Sequence, residues 1–328
     1  MEVERRSGLS YAQFEREYMR PRKPVIITDA MEECPALHKW TPEYFRERVG
    51  DRQVQTTSGK MSMREVVDGV TNPDAEPTPF LRECAVAWWL PELMADMAPH
   101  PCYAHPNWLS YPFAGWADVR GSGYASRLTR IGQAELNFTG PRMRFPTLHV
   151  DLFGVHAWIM QWYGAKKFFI FPKEDTKYLY RKPESWVSEI TDVENPDLEK
   201  FPDFAKTHMS EFTLQPGEAF FSPSGWWHTT RTVGVSIGTA MSFANASNWK
   251  DLTQNLLPPN APLRSRLGSL PYRAYLRALG AWSLPRHALP ETTDPAWCRE
   301  SLAHYWRTAG SWAGESHGGV PEEALVSQ

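Results

Sequence analysis

This 328-residue chain lacks three things, and each lack narrows what it can be. No run of about 18 apolar residues is present, the length a membrane-spanning helix needs, and the opening Met1-Glu-Val-Glu-Arg-Arg has no apolar core of the kind a secretory leader carries. No membrane role is expected from that, and the expected location is cytoplasmic. Neither charge is in excess: Lys plus Arg is 35 and Asp plus Glu is 38, a net of −3. Nucleic acid is therefore not an expected partner, because polyanion binding rests on surplus positive charge. The four cysteines, Cys34, Cys84, Cys102 and Cys298, stand far apart with no Cys-x-x-Cys pair. That excludes a zinc knuckle or a disulfide scaffold and favours a reducing compartment.

Aromatic residues and proline are plentiful. Fifteen tryptophans and 28 prolines argue for β-strands and structured loops over long helices. The balance of 42% hydrophobic and 22% charged residues belongs to a folded globule rather than a disordered chain. No internal repeat or low-complexity block is visible. Three regions are expected: an α/β segment over 1–130, a strand-rich core over 131–250, and a helical segment with a loose tail over 251–328.

Local signals place the elements. Ser10 with Gln13 three residues later reads as a capped helix start, Pro24-Val-Ile-Ile-Thr28 as a short strand, and Thr41-Pro42 as a second helix start. Pro91–Met97 reads as a helix-like piece. Beyond 131, strands are expected over Glu135–Thr139, from His149, over Ala157–Tyr163, Lys166–Phe171, Glu218–Ser222 and Val233–Phe243, with a helix near Pro271–Trp282. Gly164-Ala165 between two strand runs reads as a tight hairpin that sets Tyr163 against Lys166 and Gln161 against Phe168. Several short antiparallel strands in one block suggest a double-sheet jelly roll.

The chemistry concentrates in two fragments. In Thr147-Leu-His149-Val-Asp151, residues two apart on a strand share a face, so an imidazole and a carboxylate converge. The second fragment, Pro216-Gly-Glu to Trp227-His228, adds another imidazole. Two histidines and one carboxylate form the facial triad that suits Fe(II) and leaves coordination positions open. Taken singly, the first pair reads equally as a strand-edge hydrogen bond and His228 as a core histidine.

Two further features bear on the same volume. Along the strand from Val233, one face carries only Gly234, Ser236, Gly238, Ala240 and Ser242. So small a face leaves room for a ligand, or for a closely packed helix or sheet. Lys166 lies among Trp162, Tyr163 and Phe168; directed inward it needs an anionic partner, and otherwise it snorkels to solvent. His156 and His105 read as structural, Gly121-Ser-Gly123 as a flexible turn, and 173–212 as a lid or a plain connecting excursion.

From about residue 15 to 255 the chain resembles the cupin-like, JmjC branch of Fe(II)/2-oxoglutarate oxygenases. The blocks that carry the resemblance are HVDLFGVHAWIMQWYGAKKFFIFP over 149–172 and PGEAFFSPSGWWHTTRTVGVSIGTAMSFANASNW over 216–249, supported by HPNWLS over 105–110 and DVENPDLEKFPDF over 192–204. The resemblance implies a mainly β fold with flanking helices, a double-stranded β-helix or jelly roll. It also implies Fe(II) on His149, Asp151 and His228, 2-oxoglutarate as cosubstrate with its distal carboxylate on Lys166, and O2 as oxidant. Ile159, Ala240, Ser242 and Pro146 depart from the pattern of the lysyl-hydroxylase relatives. Secondary cosubstrate contacts are therefore sought at Asn137, Thr147, Gln161 and Ser242. The implied reaction is hydroxylation of a protein or peptide side chain, with a small metabolite as the alternative substrate and hydroxylation versus demethylation left open. A cupin-type isomerase or lyase on another metal is the rival activity, and a non-catalytic scaffold the rival class. The helices after 250 would either cap the barrel or form a homodimer interface.

Overall fold

The computed structural model describes residues 2–72, 74, 81, 84–98, 102–104, 107–110, 132–141 and 144–283. His105, Gly121-Ser-Gly123, Cys298 and the tail lie outside them. Twelve strands are present among the described residues: β1 (Glu4–Arg6), β2 (Val25–Ile27), β3 (Gln53–Thr56), β4 (Gly59–Ser62), β5 (Glu135–Thr139), β6 (Arg144–Val150), β7 (His156–Tyr163), β8 (Lys166–Phe171), β9 (Ser210–Leu214), β10 (Ala219–Ser222), β11 (Trp227–Thr232) and β12 (Ser236–Phe243). Two sheets face one another as a jelly roll: a six-stranded sheet in the order β1-β2-β10-β7-β12-β5 and a four-stranded sheet in the order β6-β11-β8-β9. Strands β3 and β4 form a separate hairpin.

Strand periodicity sorts the side chains. Trp158, Met160 and Trp162 of β7 pack with Ile237, Met241 and Phe243 of β12 into the main hydrophobic core, under a layer that supplies Phe14, Tyr18, Trp40, Phe45 and Val66. That layer is held by well-capped helices. Ser10 and Gln13 form a capping box before Tyr11–Phe14, Thr41 caps Pro42–Val49, and Ser62 and Glu65 form a second box before Met63–Thr71. The opposite face of the same sheet, with Ala157, Ile159, Gln161, Gly238, Ala240 and Ser242, looks into the barrel. The N-terminal segment does more than flank it, since β1 and β2 form one edge of the larger sheet.

The four-stranded sheet turns Leu148, Val150, Phe169, Phe171 and Trp227 outward. They meet Leu179, Ile190, Val193, Phe201 and Phe204 there. The segment after Pro172 is thus a cover over the outer face, and its end enters the sheet as β9. Within it, Val150 N–H donates to Trp186 O and Ser188 N–H to Leu148 O, which closes the free edge of β6. After the barrel, Trp249 and Leu252 of the helix Trp249–Gln254 join Tyr272 and Leu276 of Leu270–Ala278 in a satellite core with Phe153 and Val155.

Several expectations are corrected. Strands β7 and β8 do not pair: Lys166 stands opposite Thr232 and Leu214, Tyr163 opposite Ile237, and Gln161 opposite Gly238. Gly164-Ala165 is a corner at which the chain passes from one sheet to the other. Gly164 has φ +63°, and a Cβ there would collide with the Val235 carbonyl. His149 is the next-to-last residue of β6 rather than the start of a strand, the strand expected from Val233 starts at Ser236, and the helix-like piece Pro91–Met97 is a 3₁₀ helix.

Candidate metal centre

The register of β6 against β11 sets His149 directly opposite His228, with ring centroids 4.2 Å apart. A bulge follows between His228 and Thr230, a device common beside functional sites because it re-aims side chains. Asp151 lies just past the end of β6, yet its backbone stays extended (φ −58°, ψ 139°), so its carboxylate follows the imidazole two residues earlier. The chain then bends sharply at Phe153 and Gly154, both left-handed. Asp151 Oδ1 is 3.7 Å from His149 Nε2 and 4.0 Å from His228 Nε2, too far for hydrogen bonds.

Among the described residues these three form the one group of this kind, with ligand atoms all within 4.8 Å of one another. Burial pushes the Asp151 carboxyl up, and burial together with the neighbouring His228 holds His149 well below the usual imidazole range. His149 is therefore neutral with a lone pair available. Its Nδ1 is buried without a hydrogen-bond partner, and no protein cation pairs with Asp151 among the described residues. Two imidazoles and a carboxylate are a donor set for one divalent ion; neighbouring ligands with ~2.1 Å bonds stand about 3 Å apart, so these three need to close by about 1 Å to hold it.

The inner wall beyond the triad carries Lys166. In the regular β8–β11 register Ile170, Phe168 and Lys166 lie opposite His228, Thr230 and Thr232, all on the face of His228. Lys166 thus sits four residues from the His228 row, about 13 Å along the strand, with its aliphatic arm to span part of that gap. It is 7% exposed, has no ion pair or hydrogen bond among the described residues, and burial brings its ammonium down to about 8. The inward alternative for this lysine is the observed one.

The other sequence candidates separate. Asn137 lies half-buried opposite Gly238, its Nδ2 only weakly engaged with Glu135 O at 3.5 Å. Thr147 is exposed two residues before His149, and Ser242 is half-buried opposite Ala157. Gln161 is corrected as a direct contact: its Nε2 is spent on Tyr163 O, Gly164 O and Ser236 Oγ. His156 is structural as expected, accepting from Ser224 N–H at Nδ1 and lying 3.0 Å from Ser247 Oγ at Nε2. Sequence reading passed over Glu135, which alternation places on the face of Asn137, opposite Ala240. Because Ala240 and Ser242 are only half-buried, the small face borders open volume. Ala240→Phe is expected to fill this space, weakening by roughly tenfold or more any small ligand that the wall holds while thermal stability is kept, measured by ligand titration and thermal unfolding.

Comparison with known proteins agrees with this geometry. The cupin-like domain family matches residues 11–251. Arginine-specific demethylase JMJ20 of Arabidopsis thaliana is 26% identical over 76% of this chain and 60% of its own length. Human HSPB1-associated protein 1 is 28% identical over 66% of this chain and 46% of its own, and zebrafish lysine-specific demethylase 8 is 26% identical over 73% and 57%. The chain thus spans about half of the curated relatives it matches. With a jelly roll that brings His149, Asp151 and His228 together inside the matched region, the chain belongs to the cupin-like domain family that it shares with JmjC-type demethylases.

Proposed function

We propose that this protein is an Fe(II)- and 2-oxoglutarate-dependent oxygenase that acts on a side chain of a protein or peptide. The carrying observation is Lys166, a buried ammonium without an anion among the described residues, on the same inner face as the triad and four residues along the β8–β11 ladder from the His228 row. The relatives named as arginine- and lysine-specific demethylases favour a protein substrate over a small metabolite. An isomerase or lyase on another metal leaves Lys166 without a purpose.

His149, Asp151 and His228 would hold the ion. When bound, Fe(II) supplies the oxygen-activating chemistry of this class, with 2-oxoglutarate as the two-electron donor released as succinate and carbon dioxide. The protein's own part is placement. The neutral imidazole of His149 donates its lone pair without competing for a proton, and Asp151 supplies the one negative charge. Lys166 pairs with the distal carboxylate of the cosubstrate, a charge-assisted contact strengthened by its dry surroundings. Asn137, Thr147 and Ser242 are the hydrogen-bonding groups available along the wall, and the small, half-buried side chains of Ala240 and Ser242 leave room beside them. Ile159, packed with Phe168, Ile170 and Phe220, keeps water from the inner end. A cytoplasmic setting accords with Cys34 and Cys84, buried thiols outside any disulfide, whose pKa burial pushes up.

The test is anaerobic titration of the Fe(II)-loaded protein with 2-oxoglutarate, following the visible charge-transfer band, then aerobic incubation with arginine- and lysine-containing peptides in plain and methylated forms. A band, succinate release and a peptide that gains one oxygen or loses a methyl group are expected. Iron binding with no band would overturn the assignment. Succinate release without peptide modification would move the substrate to the small-molecule class.

A further inference from the structure

The corner that delivers Lys166 is fastened by one side chain. Gln161 is fully buried, and the two hydrogens of its Nε2 are shared among Tyr163 O at 2.8 Å, Ser236 Oγ at 2.8 Å, Gly164 O at 3.0 Å and, at the longest, Ile237 O at 3.4 Å. The first and third of these acceptors belong to the corner between β7 and β8, and the other two to the start of β12. The amide has one workable orientation, because turning it over would set its oxygen against two carbonyls. Oε1 therefore faces away from them, buried and without a partner, on the side of Gly238, where a Cβ would come within 3.2 Å of it. The corner is tight for a second reason: Gly164 is left-handed and its α-carbon faces the Val235 carbonyl. Lys166 follows two residues later, the one buried lysine among the described residues.

These contacts do not describe a ligand-binding amide. Every favourable donor direction of Gln161 is spent on the protein, and its remaining oxygen repels a carboxylate. They describe a brace for the residue that follows. A lysine has a long flexible arm, and an ammonium in a dry cavity gains from a fixed root, since each ångström of slack admits water and weakens the charge pairing.

We propose that Gln161 is the positioning residue for Lys166: its amide locks the corner from which the lysine projects. This rests on the reading of Lys166 as the anchor of a dicarboxylate cosubstrate. Gln161 touches neither metal nor cosubstrate, so its loss is felt in cosubstrate affinity alone.

The experiment uses the full chain loaded anaerobically with Fe(II), comparing wild type with Gln161→Met and Ser236→Ala. Three quantities are read: the Kd for 2-oxoglutarate, the Kd for the metal, and the thermal midpoint. Gln161→Met is expected to raise the 2-oxoglutarate Kd by about tenfold or more, and Ser236→Ala, which removes one of the four acceptors around Nε2, by about two- to fivefold. Metal Kd should stay within about twofold, and in succinate assays KM for 2-oxoglutarate should rise while kcat at saturation is held. A purely structural brace would lower the midpoint and leave the 2-oxoglutarate Kd at its wild-type value; that result overturns the proposal. Should Gln161→Met fail to fold, Ser236→Ala alone decides, and an unchanged Kd there is the overturning result. Wild-type protein that binds iron but no 2-oxoglutarate would instead overturn the underlying reading of the site.

Discussion

Asp151→Ala should abolish turnover, by more than roughly 10³-fold, and erase the stabilisation that a divalent ion confers, while leaving the fold intact. Asp151 is the single carboxylate of the centre, and it faces two imidazoles, at 3.7 Å and 4.0 Å. Without it the site offers two neutral nitrogens, a poor match for an ion that must shed most of its water. A ligand at a hundred times its Kd stabilises the native state by about 2.7 kcal/mol, which for a chain of this size raises the midpoint by roughly 4–5 °C. Wild type should show that rise with Fe(II) or Co(II), and the variant none. Without metal the variant should be at least as stable as wild type. Burial raises the Asp151 carboxyl, so the ionised group costs stability once pH exceeds the unfolded value, and alanine removes that cost. A metal-dependent rise of wild-type size in Asp151→Ala would sink the assignment of the centre.

Lys166→Met should do two opposite things: remove 2-oxoglutarate binding and stabilise the ligand-free protein. Burial holds this ammonium at about 8, against 10.5 for a free lysine, and nothing among the described residues pairs with it. Below pH 8 both folded and unfolded chains carry the proton, and the fold bears the full cost of the buried charge, roughly 3 kcal/mol at most. Between about 8 and 10.5 the unfolded chain binds more protons than the folded one, so stability rises with pH and then levels off. Methionine keeps most of the unbranched arm without the charge. Denaturant unfolding at pH 7 should show the variant more stable than wild type, with the gap narrowing by pH 10. Saturating 2-oxoglutarate should close the gap at pH 7 by stabilising wild type alone. A variant less stable at pH 7 that still binds 2-oxoglutarate would refute both the burial cost and the anchor.

The two variants also separate metal from cosubstrate. Asp151→Ala loses both, since the diacid depends on the ion for one of its ends. Lys166→Met keeps the ion, because its Cα row is four residues away from the His228 row on the shared β8–β11 ladder.

Much of this centre was legible before any fold was known, for reasons tied to local geometry. The i, i+2 spacing of His149 and Asp151 places both on one face wherever the backbone is extended, and it stays extended at Asp151 even though the strand has ended. The small face of β12 and the apolar face behind it follow from the same period of two. The caps at Ser10 and Thr41 follow from side chains bonding amides within the first turn. What local rules could not decide was the partner of each strand. A two-residue Gly-x turn serves a hairpin and a sheet corner alike, and the choice at Gly164-Ala165 is made by β12 and β11, some seventy residues further on, which take up the ladders of β7 and β8. The same distant contact claims Gln161, whose amide the sequence offers to a ligand and Ser236 helps take for the fold. The sequence alone determined which chemical groups are present and which share a face, because those follow from bonds within a few residues. Tertiary structure alone decided which of them stay free to meet a ligand, because a buried donor goes to whichever acceptor the packed chain brings within reach.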